Sequence, residues 1–258
     1  MKLLCIGAHP DDCEGSVGGT ALLCRDRGDE VTFVSVTDGS RGHYFEEYRN
    51  KPQRLAQRRA KEMRAVSDAT GIGYICMDVP DGEVYVTKTL TEAMIRLIRR
   101  EQPDLVLLNR PNDYHRDHRY TAQLVLDATY MLTVPLLCPE TPALSRMPVF
   151  AYWQDSFTEG GPFRPDFTVS IDSVVERKRD MMMLHVSQYL EWLPFNAGVQ
   201  MPQDAVATRR VVREQLVQRS RNTAARTGAA AEFAEAFQIS EYGSRPTSSE
   251  LVRMFPSA

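Results

Sequence analysis

The chain has 258 residues, of which 43% are hydrophobic and 25% are charged, and its formal net charge is −3. This composition is typical of a globular protein with a sizeable core and argues against general disorder. Lys and Arg are spread along the chain without a basic stripe, so nucleic acid is not an expected partner.

The distribution of apolar residues and cysteines excludes two further classes of protein. The apolar run in "MKLLCIGAHPDD" is too short for a signal peptide, and no stretch approaches the roughly 20 apolar residues of a membrane span. The 5 cysteines include no Cys-x-x-Cys pair, which fits reduced thiols better than a disulfide framework. The sequence therefore predicts a cytoplasmic protein without a membrane span.

The first half of the chain alternates between apolar runs and amphipathic segments. The continuous runs rich in Val, Ile and Leu predict buried parallel strands at residues 3–8, 31–39, 74–80 and 104–111. Helical spacing of apolar residues predicts helices between them, at residues 18–29, 54–71 and 90–102. Gly28 and Gly71 stand where the C-caps of two of these helices are expected.

This alternation predicts the fold class, an α/β, Rossmann-like, doubly wound and mostly parallel sheet with helices on both faces. Ligands of such sheets bind at the carboxyl ends of the strands, near the point where the strand order reverses. Polar loops follow three of the predicted strands: residues 9–15 ("HPDDCEG"), 37–44 ("TDGSRGHY") and 110–119 ("RPNDYHRDHR"). A functional site is therefore expected among these loops.

The second half of the chain has a weaker pattern. Residues 134–148 are rich in proline and predict an irregular loop, followed by strands at residues 149–156 and 167–171. Helices are predicted at residues 172–190 and 204–226. Because no repeat, linker or change of composition divides the chain, we expect a single domain over residues 1–258, with the least defined part at residues 190–258.

Two of the polar loops carry residues suited to bind a metal ion. His9 and Asp12 are three residues apart, which on a tight turn or a first helical turn places both side chains on one side. His115 and His118 have the same spacing, and this loop offers a third ligand if the two loops lie together. Two imidazoles and one carboxylate, with a fourth position for water, form the ligand set of a hydrolytic zinc site.

Each loop taken alone has a simpler interpretation. Asp11 or Asp12 could cap a helix that begins near Ser16, and "HRDH" could be a solvated loop with a helix start. The occurrence of both loops at predicted strand ends favours the metal site. A dinucleotide site is disfavoured because the glycines of residues 7–19 do not follow the Gly-x-Gly-x-x-Gly spacing and the adjacent acids would repel a pyrophosphate. We expect these glycines instead to let the chain turn closely around a cation.

The two loops also resemble a known family. "AHPDDCEGSVGGT" together with "PNDYHRDHRYTAQLV" resembles the paired signature of the PIG-L/LmbE-like zinc-dependent N-acetylglucosaminyl deacetylases. Further segments match in order: "TDGSRG", "RRAKEMRAVSDATG", "VPDGE", "QPDLVLLNRPND" and "KRDMMMLHVSQ". The resemblance covers most of residues 2–190. It implies an enzyme, a metal-dependent hydrolase that removes the acetyl group from an N-acetylglucosamine-type glycoconjugate.

Carried over by position, the resemblance implies a role for each site residue. His9, Asp12 and His118 would be the metal ligands, and Asp11 the general base that takes a proton from water. His115, held by Asp117, would steady the oxyanion or protonate the departing amine. The implied cofactor is Zn²⁺, although Fe²⁺, Mn²⁺ and Co²⁺ accept the same ligands.

Several other polar residues have two open interpretations. Arg41 and Arg59 could hold a sugar hydroxyl or an acidic aglycone, or could be exposed or paired with an acid. His43 could line the pocket or lie on the surface. Glu14 could support a ligand or the glycine-rich segment. Three more residues are assigned by default to packing or to support from the core: Cys13, His185 and Gln188.

The expected partner is therefore a small N-acetylated sugar conjugate, and a homo-oligomer is left open. The alternative is a non-catalytic metal- or sugar-binding protein with the same fold. Elemental analysis combined with an amine-release assay distinguishes the two. The sequence does not name the aglycone, because the loops and the C-terminal segment would shape that part of the pocket.

Overall fold

The computed structural model describes residues 1–202 and 204–256. In this part of the chain the strands are β1 (Lys2–Gly7), β2 (Glu30–Thr37), β3 (Gly73–Val79), β4 (Leu105–Leu108), β5 (Val149–Trp153), β6 (Phe167–Ser170) and β7 (Ala234–Ile239). The α-helices are α1 (Asp12–Asp26), α2 (Pro52–Thr70), α3 (Lys88–Glu101), α4 (Arg116–Met131), α5 (Val175–Met182), α6 (Leu193–Asn196), α7 (Ala205–Leu216), α8 (Gln218–Thr227) and α9 (Ser248–Met254).

The strands form one seven-stranded sheet in the order β3-β2-β1-β4-β5-β7-β6. The pairs from β3 to β5 are parallel, whereas β7 runs antiparallel to both of its neighbours. The chain leaves β3 at one edge and returns to place β4 beside β1, so the strand order reverses between β1 and β4. The prediction of a doubly wound, mostly parallel sheet is confirmed, and the loops after β1 and β4 meet at the reversal.

Each central strand contributes to two cores, because successive side chains point to opposite faces of the sheet. Leu3 and Cys5 pack with α1, α2 and α5 on one face, while Leu4 and Ile6 pack with α3 and α4 on the other. Burial on both faces is the reason why these strands read as continuous apolar runs. Helices therefore cover both faces, as the sequence predicts.

Four elements, α4, α6, β7 and α9, have no counterpart in the sequence-based expectations, and the two longer or more central ones, α4 and β7, bear on the site. Residues 116–131 form α4, of which the sequence suggests only a possible start. Residues 234–239 ("AEAFQI") form β7, although Ala and Glu favour helix. The carboxylate of Glu235 explains this departure, because it is buried and accepts hydrogen bonds from Lys178 Nζ at 2.6 Å and from the N–H groups of Gly19 and Thr20. Tertiary pairing therefore overrides local propensity in this strand.

The two long helices predicted in the second half are each interrupted. The segment 172–190 becomes α5, a turn and a π-helical stretch (Ser187–Trp192), and the segment 204–226 breaks between α7 and α8. The turn after α5 brings the imidazole of His185 within 2.7 Å of Glu14 on α1, with both side chains fully buried. A buried polar contact of this kind is invisible to hydrophobic periodicity.

The proline-rich segment between α4 and β5 is irregular, as predicted, and is organised by one buried cation. The guanidinium of Arg99 on α3 donates hydrogen bonds to six main-chain carbonyl oxygens between Met131 and Thr141. Four of these carbonyl groups also accept a main-chain N–H, so the guanidinium adds a second hydrogen bond to them and supplies a donor to the carbonyl groups of Leu137 and Thr141. Across residues 1–202 and 204–256, no helix is long and apolar enough to cross a membrane.

Candidate metal centre and active site

The junction between β1 and α1 fixes the carboxylate of Asp12. A Cβ atom added at Gly7 would lie 2.6 Å from Cβ of Asp12, so only glycine allows the first residue of α1 to fold back beneath the strand end. In this position Asp12 Oδ2 accepts hydrogen bonds from the main-chain N–H groups of Ala8 at 2.8 Å and His9 at 2.9 Å. The orientation of Asp12 is therefore set by the backbone of the same loop.

The later glycines of this segment have a different role from the one expected. Gly15, Gly18 and Gly19 lie inside α1 rather than in a turn. A Cβ at Gly19 would lie 2.6 Å from Ile171 Cγ2, so glycine allows α1 to approach the segment before α5 closely. The expectation that they turn the chain around a cation is wrong, because α1 begins at Asp12.

Asp11 has the backbone conformation that L residues rarely adopt, with φ of 121°. It immediately precedes α1, but its side chain makes no capping hydrogen bond. Its Oδ1 instead lies 3.1 Å from Nη2 of Arg59. The strained backbone directs two adjacent carboxylates to different partners, and it removes the interpretation of Asp11 as a simple helix cap.

The loop after β4 brings a second pair of residues to the same place. His115 is the residue before α4, and His118 lies in the first turn of that helix. Asn109, directly after β4, donates a hydrogen bond from Nδ2 to the carbonyl oxygen of His118 at 2.9 Å. The imidazole rings of His9 and His115 lie 4.7 Å apart, which confirms that the two polar loops meet.

Three side-chain atoms converge at this meeting point. Nδ1 of His9 lies 3.2 Å from Nε2 of His118, and Oδ2 of Asp12 lies 3.7 Å and 3.5 Å from these two nitrogens. Ligands at zinc–donor distances of about 2.0–2.1 Å in a tetrahedral arrangement lie roughly 3.3 Å from one another. The three atoms therefore have the spacing of one face of a tetrahedral site, and we refer to these residues as the triad.

The outer nitrogen of each imidazole faces a carboxylate. Nε2 of His9 lies 3.3 Å from Asp81 Oδ1 and 3.6 Å from Asp117 Oδ2, and Nδ1 of His118 lies 2.9 Å from Asp113 Oδ2. Such partners hold the ring proton on the outer nitrogen and leave the inner nitrogen free to ligate a metal. Two inner lone pairs 3.2 Å apart repel each other unless a cation lies between them. The donor set therefore fits a bound metal ion.

The pKa values of the triad residues also indicate a site that stabilises positive charge. Burial would raise the pKa of Asp12, but the imidazoles of His118 and His9 outweigh it and hold the pKa far below its usual value. Burial would lower the pKa of His9, but neighbouring carboxylates, Asp117 foremost, raise it well above its usual value. The pKa of His118 is raised in the same way by Asp12 and Asp113. In the absence of a metal, these carboxylates favour the protonated, cationic form of both imidazoles. The surroundings of the triad therefore stabilise positive charge.

Two other sets of side chains, both of which include His9, have ligand atoms close enough together to bind one metal ion. One consists of His9, His115 and His118, and the other of His9, Asp81 and Asp117. Both share His9 with the predicted ligand set. In the second group the carboxylates face the outer nitrogen of His9, where they can also serve as its hydrogen-bond partners. The assignment of His9, Asp12 and His118 as the ligands stays a prediction.

The contact between Asp117 and His115 differs from the expected one. The main-chain N–H of Asp117 donates to Nδ1 of His115 at 3.2 Å. The carboxylate of Asp117, which is fully buried, accepts from the N–H of Gly82 at 2.7 Å and faces His9. Burial and the cationic imidazoles of His9 and His118 lower the pKa of His115. Asp117 thus reaches His115 through its backbone and supports His9 with its side chain.

Asp11 is the carboxylate at this site that the triad does not use. Burial is the main influence on it, and it raises the pKa of Asp11 to about 6, although the charge of Arg59 opposes the shift. A carboxylate with a pKa near neutrality is suited to accept and return a proton. A cation at the triad would shift this pKa downward.

The two arginines singled out in the sequence are both engaged in the protein. Arg41 forms an exposed ion pair with Glu83, and its backbone N–H donates to Asp81 Oδ2 at 3.1 Å. Arg59 is 1% exposed, and its guanidinium contacts Asp11 and the carbonyl oxygen of Pro10. Arg59 therefore lies behind the site as a partner of Asp11.

The remaining candidates lie outside the triad. His43 is buried against Glu191, with Nε2 and Oε2 2.9 Å apart. Gln188 is buried and donates to the carbonyl oxygen of Gly42 at 3.2 Å. The thiol of Cys13 is 1% exposed, and burial raises its pKa well above the usual value, which makes it a packing residue rather than a thiolate.

Sequence reasoning missed Asp81 and Asp113 as partners of the triad imidazoles. Both stand in segments quoted for the family resemblance, "VPDGE" and "PNDYHRDHR". Asp81 follows β3, which is separated from β1 by β2, so only the strand order brings it to His9. A search for acids at the carboxyl end of every predicted strand would have found both.

A cavity of about 540 Å³ opens beside the triad. Asp12 and His118 form part of its wall, and Trp153 and Arg219 contribute from the second half of the chain. Its size is within the range of small-molecule sites. The arrangement therefore combines three side chains with the spacing of metal ligands, a neighbouring carboxylate and a cavity large enough for a small substrate.

Comparison with known proteins agrees with this chemistry. The family model described as "PIG-L: GlcNAc-PI de-N-acetylase" matches residues 4–129. The diacetylchitobiose deacetylase of Thermococcus kodakarensis is 30% identical over 209 residues, which cover 75% of this chain and 74% of the relative.

Solved structures show the same fold. The N,N'-diacetylchitobiose deacetylase from Pyrococcus horikoshii, in complex with its inhibitor MPG, has a TM-score of 0.75 at 24% identity and covers 93% of this chain and 84% of its own. GalB, the 4-carboxy-2-hydroxymuconate hydratase from Pseudomonas putida KT2440, has a TM-score of 0.73 at 20% identity, with coverage of 96% and 98%. The fold is therefore shared by deacetylases and by a hydratase.

Proposed function

Since the chain belongs to the PIG-L family, we propose that it is a metal-dependent hydrolase that removes the acetyl group from an N-acetylated amino sugar conjugate, with zinc as the metal. The observation that carries the proposal is the triad, in which three ligand atoms lie 3.2–3.7 Å apart and each imidazole has a carboxylate on its outer nitrogen. Asp11 is the adjacent carboxylate left for proton transfer.

The metal would be held by His9, Asp12 and His118. When bound, a zinc ion polarises the amide carbonyl and makes water acidic enough to react near neutral pH. The water oxygen forms a bond to the acetyl carbon while Asp11 accepts its proton, and Arg59 holds that carboxylate in place. The carbon–nitrogen bond then breaks, the amine nitrogen takes up the proton from Asp11, and acetate is released.

His115 is positioned to stabilise the negative charge that develops on the amide oxygen. Its Nδ1 accepts the N–H of Asp117, so in the neutral ring Nε2 carries the proton. An N–H donor fixed before the reaction stabilises the transition state more than the substrate. The role is therefore that of a neutral hydrogen-bond donor rather than of a cation.

The proposal is tested by measuring primary amine released from a panel of N-acetylglucosaminides. Metal-loaded protein is expected to release amine, a chelator to abolish the activity, and added Zn²⁺, Fe²⁺, Mn²⁺ or Co²⁺ to restore it to different extents. Elemental analysis of the purified protein identifies the metal it carries. Metal-loaded protein that binds these sugars without releasing amine would contradict the proposal and favour the non-catalytic alternative.

A hydratase is the second candidate function, because GalB matches nearly the full length of both chains. In that reaction the same groups would add water across a carbon–carbon double bond of an unsaturated acid. The loss of ultraviolet absorbance of a conjugated unsaturated dicarboxylate, measured with the same metal-loaded protein, separates this activity from amine release.

A further inference from the structure

Most of the charged side chains that line the cavity beside the triad have a partner or a role in the proposed reaction. Asp12 and His118 belong to the triad, and Asp113 supports His118. Arg110 is paired with Asp155 through two hydrogen bonds of 2.6 Å and 2.7 Å. These lining charges are therefore committed to one another or to the metal.

Two arginines on α8 line the same cavity without a carboxylate partner. Among the residues that the structure describes, neither Arg219 nor Arg226 forms an ion pair, and both are exposed. Asn222 lines the cavity between them, so positions i, i+3 and i+7 place one face of α8 along the wall. This face carries two positive charges and an amide.

Arg219 is held close to the triad. Its Nη1 donates to Ser16 Oγ at 3.3 Å, and its Nη2 donates to the carbonyl oxygen of Gln154, which follows β5. Ser16 is one helical turn after Asp12 on α1, so the guanidinium lies about one turn from a triad residue. Neither of its contacts neutralises its charge.

We propose that Arg219 and Arg226 form an anion subsite, so that the substrate is an N-acetylated amino sugar whose aglycone carries a carboxylate or a phosphate. This inference rests on the proposed function and specifies its substrate class. Guanidinium groups bind both anions through paired N–H donors. Asn222 supplies a neutral donor between them. The acidic group is bound by α8, while the acetamido group lies at the triad.

The test compares kcat/KM for amine release from three N-acetylglucosaminides that differ only in the aglycone: methyl, carboxymethyl and phosphate. We expect wild type to prefer at least one acidic substrate by about tenfold or more, as for one or two charge-assisted hydrogen bonds. The Arg219→Gln/Arg226→Gln variant loses this preference, and Arg219→Lys/Arg226→Lys keeps part of it. The carboxymethyl and phosphate arms show which anion the subsite accepts.

Arg209→Gln/Arg210→Gln is the matched control. Arg209 and Arg210 are exposed arginines on α7 that do not line the cavity, and their substitution removes the same number of charges as the double variant. The control is expected to keep the preference of wild type. Equal kcat/KM on neutral and acidic substrates in wild type, or a preference that survives in the double glutamine variant, would overturn the anion subsite while leaving the deacetylase proposal intact.

Binding of inorganic phosphate to the metal-loaded protein, measured by calorimetry, separates the two proposals. If no substrate releases amine but phosphate binding is weakened by Arg219→Gln/Arg226→Gln and not by Arg209→Gln/Arg210→Gln, the deacetylase proposal fails and the anion subsite stands. If neither inorganic phosphate nor the carboxymethyl glycoside binds more weakly to the double glutamine variant than to wild type, the subsite is contradicted, whatever the activity.

Discussion

The early part of the chain, residues 2–131, and the late part, residues 149–254, contribute to the site in different ways. The early part carries the triad, Asp11 and His115 on loops that follow parallel strands, and the family model matches only within it. The late part extends the sheet with β5, β7 and β6 and supplies a cavity wall that includes Arg219. The sheet therefore fixes the positions of the triad and Asp11, whereas a helix surface shapes the rest of the cavity.

The two parts differ because the triad residues of the early part are fixed by buried contacts, whereas the cavity-lining arginines of the late part are exposed. Asp12 accepts two main-chain N–H groups and lies against a glycine where no larger residue fits. Arg219 and Arg226 are exposed, and within residues 1–202 and 204–256 neither of them forms an ion pair. Changes in the early part should therefore abolish the reaction, while changes in the late part should alter stability or the choice of substrate.

The largest effect is expected for Asp12→Ala. It removes a triad ligand together with the acceptor of two N–H groups, so metal content should fall and amine release should decrease about 10³-fold, the value of several kcal/mol of lost stabilisation by the metal. Elemental analysis and the amine assay measure both. Ser16→Ala, one turn further on α1, is the control and should keep its metal. Full metal content in Asp12→Ala would refute its assignment as a ligand.

The next largest effect is expected for the ion pair that joins the late part of the chain to α1. Lys178 and Glu235 form a fully buried ion pair that also binds two N–H groups of α1. Glu235→Gln leaves the charge of Lys178 without compensation and should reduce the free energy of unfolding by about 3–5 kcal/mol. Urea denaturation measures this change. The exposed pair of Glu232 with Arg221 provides the control, because Glu232→Gln should cost about 1 kcal/mol or less.

A smaller effect that depends on pH is expected at Glu191. Burial would raise its pKa, but Arg58 and His43 outweigh burial and lower the pKa below its usual value. The lowered pKa stabilises the folded protein above the pKa of the unfolded chain, and this contribution is lost as the pH falls through the folded value. Wild type should therefore be more stable than Glu191→Gln at pH 7, by about 1 kcal/mol.

Denaturation curves of the two proteins should converge as the pH falls through the lowered pKa of Glu191 in the folded protein, because its carboxyl group is then protonated. Glu47→Gln removes an exposed carboxylate from the neighbouring loop and should match wild type throughout. A difference between wild type and Glu191→Gln that grows in acid would show that the ion pair is not its source.

Much of the early part could be predicted from the sequence, because its strands are apolar on both faces and the triad residues stand in the polar loops that follow two of them. The strand order places β1 beside β4, so His9 and His118 meet where the doubly wound fold requires. The adjacent acids Asp11 and Asp12 point in different directions because of a backbone conformation that no propensity indicates.

The late part could not be predicted to the same degree. Glu235 interrupts the apolar pattern of β7, and its buried partner is 57 residues away in sequence. The role of Arg219 depends on how α8 packs beside β5 and α1, which hydrophobic periodicity does not specify. The sequence leaves open whether Arg41 and Arg59 bind substrate or pair with an acid, and in the structure each is engaged with an acid of the protein.

The most direct test of the account is Asp11→Asn, measured for metal content and for amine release. The amide keeps the shape of the side chain and leaves the triad intact, but it cannot accept the proton of water. We predict wild-type metal content and a rate lower by about 10²–10⁴-fold, the contribution of a general base. A variant that holds its metal and releases amine at the full rate would contradict the division of roles between Asp11 and Asp12.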